Sequence, residues 1–168
     1  MTRLFLILLC AFLAAPAAAQ HVVLLRHAEK ADDGTSNPPL TAYGQARAEA
    51  LIGVLRASGL DVAITSGLAR TDQTAAPAVA YFDAEHRVVG VSGGMEAHVE
   101  GTAAAVREYG SDDVVLVAGH SNTIPRIIHA LGGPELPDLN EAEYDQLYFL
   151  TLGGDEPDLR RIYWRPVE

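Results

Sequence analysis

Cysteine is almost missing from this chain. Its 168 residues contain one cysteine, Cys10, which lies in an apolar stretch near the N-terminus. A disulfide needs two cysteines, so none can form within the chain, and the folded state must depend on packing. After the first thirteen residues there is also no apolar run that approaches the ~20 residues of a transmembrane helix. The length of the chain is enough for one domain with a full hydrophobic core.

Positive charge is scarce as well. Lys and Arg number 12 against 22 Asp and Glu, which gives a formal net charge of −10 and an isoelectric point near 4.9. Such an acidic protein repels nucleic acid and anionic membrane surfaces, so neither is expected as a partner. An anionic ligand would have to be held by a local cluster of cations that acts against the overall field.

The first residues have the composition of a secretory signal peptide. Arg3 supplies a positive charge, an apolar core of ten residues follows it, and three alanines that end at Ala19 form a small-residue cleavage site. We expect residues 1–19 to be removed and residues 20–168 to form a single periplasmic or secreted domain. The lone cysteine leaves with the signal, and loss of the positive charge of Arg3 takes the formal charge from −10 to −11.

The rest of the chain alternates short apolar runs with amphipathic stretches. Apolar runs without polar alternation are typical of strands that are buried on both faces of a parallel sheet. We predict strands at 22–25, 61–65, 87–91 and 114–118, and two antiparallel closing strands at 146–152 and 159–165. Helices are predicted between them, at 41–58, from residue 66, at 95–109 and over 124–131.

Two of these helices carry boundary signals. Thr41 is predicted to cap the first helix, whose apolar stripe would include Ala46, Leu51 and Leu55. Pro77 is predicted to end or kink the second helix. Strands that alternate with helices indicate an α/β fold, namely a three-layer αβα sandwich with a mostly parallel sheet. No internal repeat or second domain is evident.

Groups suited to bind an oxyanion follow three of the predicted strands. Arg26 and His27 end the first strand, Ser66 and Arg70 follow the second, and residues 119–122, Gly-His-Ser-Asn, follow the fourth. The carboxyl ends of parallel strands share one edge of a sheet, where ligands bind in open α/β folds. Two of the junctions also offer the free backbone N–H groups of a helix start, which favour anions. A trivalent oxyanion is therefore the predicted ligand.

These residues lie in segments that resemble the motifs of a known family. The Arg26-His27 pair with its apolar strand is similar to the Arg-His-Gly signature of the histidine phosphatase superfamily, also called phosphoglycerate-mutase-like. Residues 40–46 resemble its LT-x-x-G-x-x-Q-A segment with a shorter spacing to the glutamine. Residues 66–75 resemble its S-x-L-x-R-x-x-Q-T-A element, and residues 118–122 resemble the segment that carries its second histidine.

The resemblance covers residues 22–131 and implies a small exported phosphatase. It implies that His27 attacks phosphorus and becomes a phosphohistidine, which only a neutral imidazole can do, with its other ring nitrogen donating to a fixed acceptor such as a backbone carbonyl. Arg26, Arg70 and His120 would bind the phosphoryl oxygens and neutralise charge in the transition state. Because the arginines supply the positive charge, no metal and no other cofactor is expected. The implied enzyme is a histidine acid phosphatase-type hydrolase, a phosphoric monoester hydrolase that acts on a small-molecule or surface phosphomonoester.

The group that protonates the leaving oxygen stays open. Many members of the family use a Glu or Asp near the position of Glu96. Glu29 and Glu100 are alternatives, and some small members have no clear acid, so a site without one is the fourth possibility.

Four other functions are weighed against this one. The two site histidines could bind a metal, but Arg26 would repel a cation, and no carboxylate lies at ligand-like spacing. Residues 119–123 could form the nucleophile elbow of a serine hydrolase, although Thr123 replaces the second glycine. We expect Ser121 instead to cap a helix or to make a minor phosphate contact.

The fold could also bind phosphorylated ligands without turnover. A mutase is the weakest reading, because the insertions that clamp sugar phosphates are missing.

The other polar and aromatic residues are interpreted as structural. Arg126 is expected to be a solvated helix residue, and segment 138–145 a solvated acidic loop, of which residues 143–145 could border the pocket. Histidines outside the motifs are expected to be ordinary surface or helix residues, namely His21, His86, His98 and His129. The aromatic residues expected to contribute to packing are Tyr144, Tyr148 and Trp164.

Overall fold

A computed structural model describes residues 19–154 and 156–165 of the chain. The predicted signal peptide therefore lies, apart from Ala19, outside the described residues. Within those two ranges, no helix combines the length and the apolar character that crossing a membrane requires.

The described residues form six strands and four helices. The strands are β1 (Gln20–Arg26), β2 (Val62–Thr65), β3 (Glu85–Val88), β4 (Val114–Gly119), β5 (Gln146–Leu152) and β6 (Asp158–Tyr163). The helices are α1 (Ala42–Leu55), α2 (Ala69–Phe82), α3 (Gly94–Val106) and α4 (Ile124–Ala130).

All six strands belong to one sheet with the order β3-β2-β4-β1-β5-β6. The first four in that order run parallel, whereas β5 and β6 are antiparallel to their neighbours. In the parallel pairings Arg26 lies opposite Gly119, and Thr65 lies opposite Ala118. The carboxyl ends of β1, β2 and β4 therefore finish side by side at one edge of the sheet.

Helices cover both faces of this sheet. Successive strand residues point to opposite sides, so Leu24 and Val115 pack with α3 and α4, whereas Val23 and Leu116 pack with α1 and α2. All four side chains are almost fully buried, and each face contributes its own core cluster. The predicted three-layer αβα sandwich with a mostly parallel sheet is confirmed.

The first helix begins next to its predicted cap. The Oγ1 atom of Thr41 accepts a hydrogen bond of 3.0 Å from the N–H of Gly44. A glycine is required at 44 because a Cβ there would lie 2.3 Å from the carbonyl oxygen of Glu29. The predicted apolar stripe is wrong at Ala46, which is exposed, while Arg47 is buried beside it. Arg47 tolerates burial because it donates to both carboxylate oxygens of Glu29.

The second helix differs from its prediction in two ways. It starts three residues later than residue 66, because Gly67 adopts φ +75° and turns the chain between β2 and the helix. Ser66 is therefore left outside the helix. The helix also continues past Pro77, so the prediction that this proline ends it is wrong. Ala75 and Ala78 are buried on either side of the proline, and their packing offsets the hydrogen bond that it cannot donate.

Two strands are shifted along the chain from their predicted positions. The strand predicted at 87–91 occupies Glu85–Val88, because it pairs residue for residue with the four residues of β2. The last strand, predicted at 159–165, ends at Tyr163. Both are edge strands, where the apolar pattern is weakest.

Candidate active site

Three strand ends bring the predicted site residues together. Arg26 ends β1, and the backbone N–H of His27 donates to the carbonyl of Gly119 on β4 at 2.9 Å. Ser66 follows β2, and His120 follows β4. A cavity of about 560 Å³ opens at this edge of the sheet. The side chains that line it include Arg26, His27, Lys30, Arg70, His120 and Glu141.

The His27 ring is held in one orientation and one protonation state. Its Nδ1 atom lies 2.7 Å from the carbonyl oxygen of Ala28, and the residue is only 3% exposed. A carbonyl can only accept, so Nδ1 carries the proton and Nε2 keeps a free lone pair. Burial lowers the pKa of His27 to about 3, with further lowering by the nearby charges of His120, Arg26 and Arg70. The imidazole is therefore neutral at physiological pH.

The second histidine lies beside the first. The ring centroids of His27 and His120 are 5.4 Å apart, and the two rings meet edge to face. The Nε2 atom of His120 lies 3.0 Å from Oγ of Ser66. Burial lowers the pKa of His120 to about 4, followed by the positive charge of Arg70, while Glu141 acts in the opposite direction. His120 is thus also neutral in the unliganded protein.

Arg26 connects the cavity to the acidic loop, residues 138–145. Its Nη1 atom donates to three backbone carbonyls of the loop, including that of Glu141 at 2.8 Å. Its Nη2 atom donates to the Glu141 carboxylate at 2.6 Å, and its guanidinium lies 4.1 Å from the centre of the Tyr144 ring. The loop was predicted to be solvated, with residues 143–145 as a possible border of the pocket; a buried cation holds it against the site.

Two arginines that line the cavity each have a side-chain nitrogen without a hydrogen-bond partner among the described residues. These nitrogens are Nε of Arg26 and Nε of Arg70, and both atoms are buried. Native proteins rarely leave buried donors unpaired, so such donors next to a cavity indicate a ligand that accepts from them. Burial and the charge of Arg26 lower the pKa of Arg70, but a guanidinium remains charged under these conditions. The pair of donors suits the oxygens of a phosphoryl group.

The three predicted proton donors lie elsewhere. Glu29 accepts two hydrogen bonds from the Nε of Arg47 and one of 2.7 Å from its Nη2, so it is committed to a structural ion pair. Glu96 and Glu100 line a second cavity of about 490 Å³, between α3 and α4. Among the described residues, the carboxylates that line the site cavity are Glu141 and Asp138. The distance of Glu96 from Arg70 along the sequence did not predict which cavity it faces.

Sequence reasoning missed a carboxylate of the site cavity and a third histidine. Glu141 lies in the acidic loop, where charge alone indicates only solvation. His98 is not the ordinary residue that was expected, because it is 3% exposed and its ring centroid lies 6.5 Å from that of His120. Its Nδ1 atom lies 2.8 Å from the carbonyl of Val89. No local motif marks either residue, since both contacts join segments far apart in the chain.

Ser121 does not cap the following helix, contrary to one prediction. The N-cap residue is Thr123, whose side chain makes no hydrogen bond to the helix; its Oγ1 atom accepts the backbone N–H of His120, which precedes the helix, at 2.9 Å. The hydroxyl of Ser121 instead donates to the Glu141 carboxylate at 2.5 Å. A serine hydrolase needs its nucleophile paired with a base histidine, so this arrangement does not favour that alternative. The predicted phosphate contact of Ser121 stays a prediction, since the residue lines the cavity.

Residues 22–90 match the family model of the histidine phosphatase superfamily, branch 1. A solved structure from Nakamurella multipartitia, named for the phosphohistidine phosphatase SixA, is similar over 92% of this chain and 100% of its own, with 26% identity and a TM-score of 0.65. The family match and the shared fold confirm the predicted resemblance to the histidine phosphatase superfamily. This similarity indicates a phosphatase and therefore a hydrolase. No curated protein sequence matches the chain significantly.

Two further solved structures share the fold. One is the protein histidine phosphatase SixA complexed with tungstate, which is 17% identical over 86% of this chain and 97% of its own, with a TM-score of 0.64. Another is an Escherichia coli K-12 protein named for α-ribazole-5′-P phosphatase, 18% identical over 89% of this chain and 98% of its own, with a TM-score of 0.66. At these identities the likeness shows the fold alone.

The described part of the chain contains no group of three or more His, Cys, Asp or Glu side chains placed to hold a metal ion. The charge that faces the cavity comes instead from guanidinium and ammonium groups, those of Arg26, Arg70 and Lys30. A metal ion near these three cations would be repelled.

Proposed function

We propose that this protein, which resembles the histidine phosphatase superfamily over residues 22–90, is a metal-independent phosphomonoesterase that works through a phosphohistidine on His27. The observation that carries the proposal is the contact of His27 Nδ1 with the carbonyl of Ala28. It leaves Nε2 as the nucleophilic nitrogen inside a cavity lined by two arginines. A buried imidazole with a pKa of about 3 is already deprotonated at neutral pH and needs no separate base.

The catalytic cycle has two displacements at phosphorus. In the first, Nε2 of His27 attacks the phosphoryl group, and the bond to the leaving oxygen breaks. In the second, water attacks the phosphohistidine and phosphate is released. Arg26 and Arg70 bind the equatorial oxygens through donors that have no protein partner among the described residues. Their charge stabilises the transition state, which is the main task in phosphoryl transfer.

Hydrolysis of protein phosphohistidine is a second candidate function, and the carboxylates of the cavity favour it. The hydrogen bond from Ser121 and the charge of Arg26 lower the pKa of Glu141, so this carboxylate is ionised and cannot donate a proton. An imidazole that is protonated on its other nitrogen leaves phosphorus as a neutral molecule and needs no such donor. The name of the Nakamurella relative agrees with this candidate. A preference of at least tenfold in kcat/KM for a phosphohistidine peptide over a phosphoserine peptide would support it; equal values would reject it.

Hydrolysis of p-nitrophenyl phosphate in the presence of a chelator tests the main proposal. Its leaving group needs little protonation, so turnover depends on His27 and on the phosphoryl-binding groups. We expect wild-type turnover without added metal, and loss of at least ~10³-fold in His27→Ala, since the nucleophile is removed. A protein that binds phosphate but shows no turnover would be the non-catalytic module considered above.

We also propose that the protein is exported after cleavage near Ala19. The proposal is supported by the charge, apolar core and small residues of the first nineteen positions. Expression of the full chain in a Gram-negative host followed by fractionation and N-terminal sequencing tests it. A periplasmic product that starts at Gln20 or His21 is expected. An uncleaved protein in the cytoplasmic fraction would contradict the proposal.

A further inference from the structure

Two buried hydroxyl groups, those of Ser66 and Thr71, form a chain of hydrogen bonds that ends at the ring of His120. Oγ of Ser66 lies 3.0 Å from Nε2 of His120 and 2.9 Å from Oγ1 of Thr71. Oγ1 of Thr71 in turn donates to the carbonyl of Leu68 at 2.8 Å. Ser66 and Thr71 are both buried, so water does not compete for these bonds. The turn at Gly67, which keeps Ser66 outside α2, is what leaves this hydroxyl free to reach the histidine.

The direction of every bond in this chain follows from its last acceptor. Oγ1 of Thr71 donates its single hydroxyl proton to the carbonyl of Leu68, which also accepts the backbone N–H groups of Thr71 and Asp72. Thr71 can then only accept a hydrogen bond from Ser66, so the hydroxyl of Ser66 donates its proton to Oγ1 of Thr71. Oγ of Ser66 is left as an acceptor toward His120. The proton of neutral His120 therefore sits on Nε2, and its Nδ1 carries a lone pair.

This tautomer matters because the ring lines the phosphoryl cavity. Nδ1 of His120 has no hydrogen-bond partner among the described residues, so it is the ring nitrogen available to a ligand. A lone pair repels the oxygens of a phosphoryl dianion. The contact becomes attractive when a proton lies between the nitrogen and the oxygen. Binding of a phosphoryl group should therefore bring a proton to His120.

We propose that Ser66 and Thr71 are positioning residues that fix His120 as the Nε2–H tautomer, so that Nδ1 of His120 accepts a proton with the substrate and gives it to the leaving group. The proposal rests on the phosphatase function proposed above. It assigns to His120 the role of proton donor that Glu29, Glu96 and Glu100 cannot fill from their positions.

The protons balance over both displacements. A monoanionic phosphoryl group transfers its acidic proton to Nδ1 of His120 on binding. As the bond from phosphorus to His27 forms, the bond to the leaving oxygen breaks, and that oxygen takes the electron pair and the Nδ1 proton. The alcohol departs and His120 is neutral again. In the second displacement, Nδ1 takes one proton from the attacking water as the bond from phosphorus to His27 breaks, and it returns that proton to the departing phosphate.

Other charged and titratable groups surround His120. Arg26 and His27 approach it from β1, Arg70 from α2, His98 from α3 and Glu141 from the acidic loop. The arginines stay charged, and burial keeps the pKa of both His27 and His98 below the usual value, so both rings are neutral. Glu141 is ionised and exposed. His120, which lines the cavity, is therefore the expected site of proton uptake when a phosphoryl group binds.

Calorimetric titration with inorganic phosphate at pH 8, in two buffers of different ionisation enthalpy, counts the protons taken up on binding. We expect about one proton per phosphate for the wild-type protein, since phosphate enters as the dianion and His120 starts neutral. In Ser66→Ala the ring can present Nδ1–H without gaining a proton, so uptake should fall below about half. Ser66→Thr keeps the hydroxyl and should restore it. Ser58→Ala, which removes a hydroxyl that does not line the cavity, should leave uptake unchanged.

Thr71→Val provides a second test one step farther from the cavity. It removes the acceptor that orients the Ser66 proton, so it should lower proton uptake in the same direction, whereas Thr71→Ser should not. Thermal melting of each variant shows whether it is folded. If Ser66→Ala does not fold, the comparison of Thr71→Val with Thr71→Ser takes the place of the comparison of Ser66→Ala with Ser66→Thr. Wild-type binding without proton uptake would overturn the proposal. The proposal would also be overturned if Ser66→Ala lost proton uptake and Ser66→Thr did not restore it.

Leaving-group dependence supplies a kinetic readout that a purely structural role would not change. We expect Ser66→Ala to reduce kcat/KM by about 10- to 100-fold for an alkyl phosphate and less than about threefold for p-nitrophenyl phosphate, whose leaving group needs no donor. An equal loss on both substrates would contradict the proton-donor role. Trapped phosphohistidine separates the two proposals: its absence from the wild type would reject the phosphatase mechanism, whereas its presence without proton uptake would reject only the role of His120.

Discussion

Nδ1 of His27 lies 2.7 Å from the carbonyl oxygen of Ala28, the next residue in the chain. This contact is local, but it depends on the end of β1, where the backbone N–H of His27 is held by Gly119 of β4. The sheet therefore fixes the backbone, the backbone fixes the ring, and the ring presents Nε2 to the cavity. The predicted fixed acceptor for the other ring nitrogen is a backbone carbonyl, as expected.

The buried histidines make the stability of the protein depend on pH. The pKa of His27 is lowered to about 3 in the folded state, whereas an unfolded histidine titrates near 6.5. Between these values the unfolded chain binds more protons, so the free energy of unfolding should be highest above about pH 6.5 and should fall as the pH drops toward 3. The pKa of His120 is lowered to about 4, so this residue also decreases the free energy of unfolding as the pH falls.

A substitution that removes the titration should flatten this dependence. We expect His27→Gln to lose less stability than the wild type between pH 6.5 and pH 4, measured by urea unfolding at fixed temperature. His21→Gln is the matched control, because that histidine is exposed. Parallel curves for wild type and His27→Gln would show that His27 does not titrate as described.

Activity should peak in mildly acidic solution. His27 remains a nucleophile down to a pH near its pKa of about 3, which sets the acidic limb of the profile. The basic limb should follow loss of the phosphoryl proton near pH 6, since His120 needs that proton. The pH dependence of kcat/KM for an alkyl phosphate measures both limbs. A profile that is flat from pH 4 to pH 9 would exclude this pair of groups.

Glu141 competes with the phosphoryl group for Arg26. Its carboxylate accepts from Nη2 of Arg26 at 2.6 Å, although the side chain is 76% exposed and free to move away. Glu141→Gln removes a negative charge from the cavity rim, so it should tighten binding of inorganic phosphate by about three- to tenfold at low salt. Titration calorimetry at pH 8 measures the change.

Glu143→Gln is the control for this effect. That carboxylate lies in the same loop, but it accepts from Gln146 and does not line the cavity. Its removal should leave the dissociation constant of phosphate within about twofold. If Glu141→Gln weakened phosphate binding instead, the carboxylate would be supporting Arg26 and not competing for it.

The predicted acids at Glu96 and Glu100 should prove dispensable. Both line the second cavity, so their replacement by Gln should leave the basic limb of the activity profile and the leaving-group dependence unchanged. The double variant Glu96→Gln/Glu100→Gln, assayed on an alkyl phosphate, tests this directly. A loss of tenfold or more that is specific to alkyl leaving groups would restore one of them as the donor.

Glu29 should matter for folding and not for chemistry. Arg47 is buried and donates to both oxygens of this carboxylate, so Glu29→Ala leaves a buried charge without its partner. We expect a loss of about 3 kcal/mol in the free energy of unfolding, with kcat on p-nitrophenyl phosphate little changed in the folded protein. A stable Glu29→Ala variant with lost activity would reverse this assignment.

The sequence alone predicts the part of the site that is attached to strand ends. Arg26, His27 and His120 follow apolar runs, and parallel strands bring such positions to one edge whatever the loops do. The contact of Glu141 with Arg26 could not be predicted in this way, because a loop of 138–145 can close on many surfaces. The hydrogen bonds of the Ser66 hydroxyl could not be predicted for another reason, because they depend on the residue at which α2 begins.

The helix and strand limits show the same division. Thr41 caps α1 because a threonine hydroxyl and a helix start are next to each other in the chain. The continuation of α2 through Pro77 is instead decided by burial of Ala75 and Ala78, and burial is a property of the assembled layers. A helix limit could therefore be predicted where the interacting residues are neighbours in the chain, and the prediction was wrong where tertiary packing determines the limit.

Trapping of the covalent intermediate tests the central claim most directly. The purified protein is mixed with a phosphorylated substrate, denatured in alkali to protect acid-labile phosphate, digested and mapped by mass spectrometry. The mechanism requires one phosphorylated peptide with the modification on Nε2 of His27, and no such peptide from His27→Ala. Phosphate found on Ser121, or undiminished turnover by His27→Ala, would contradict it.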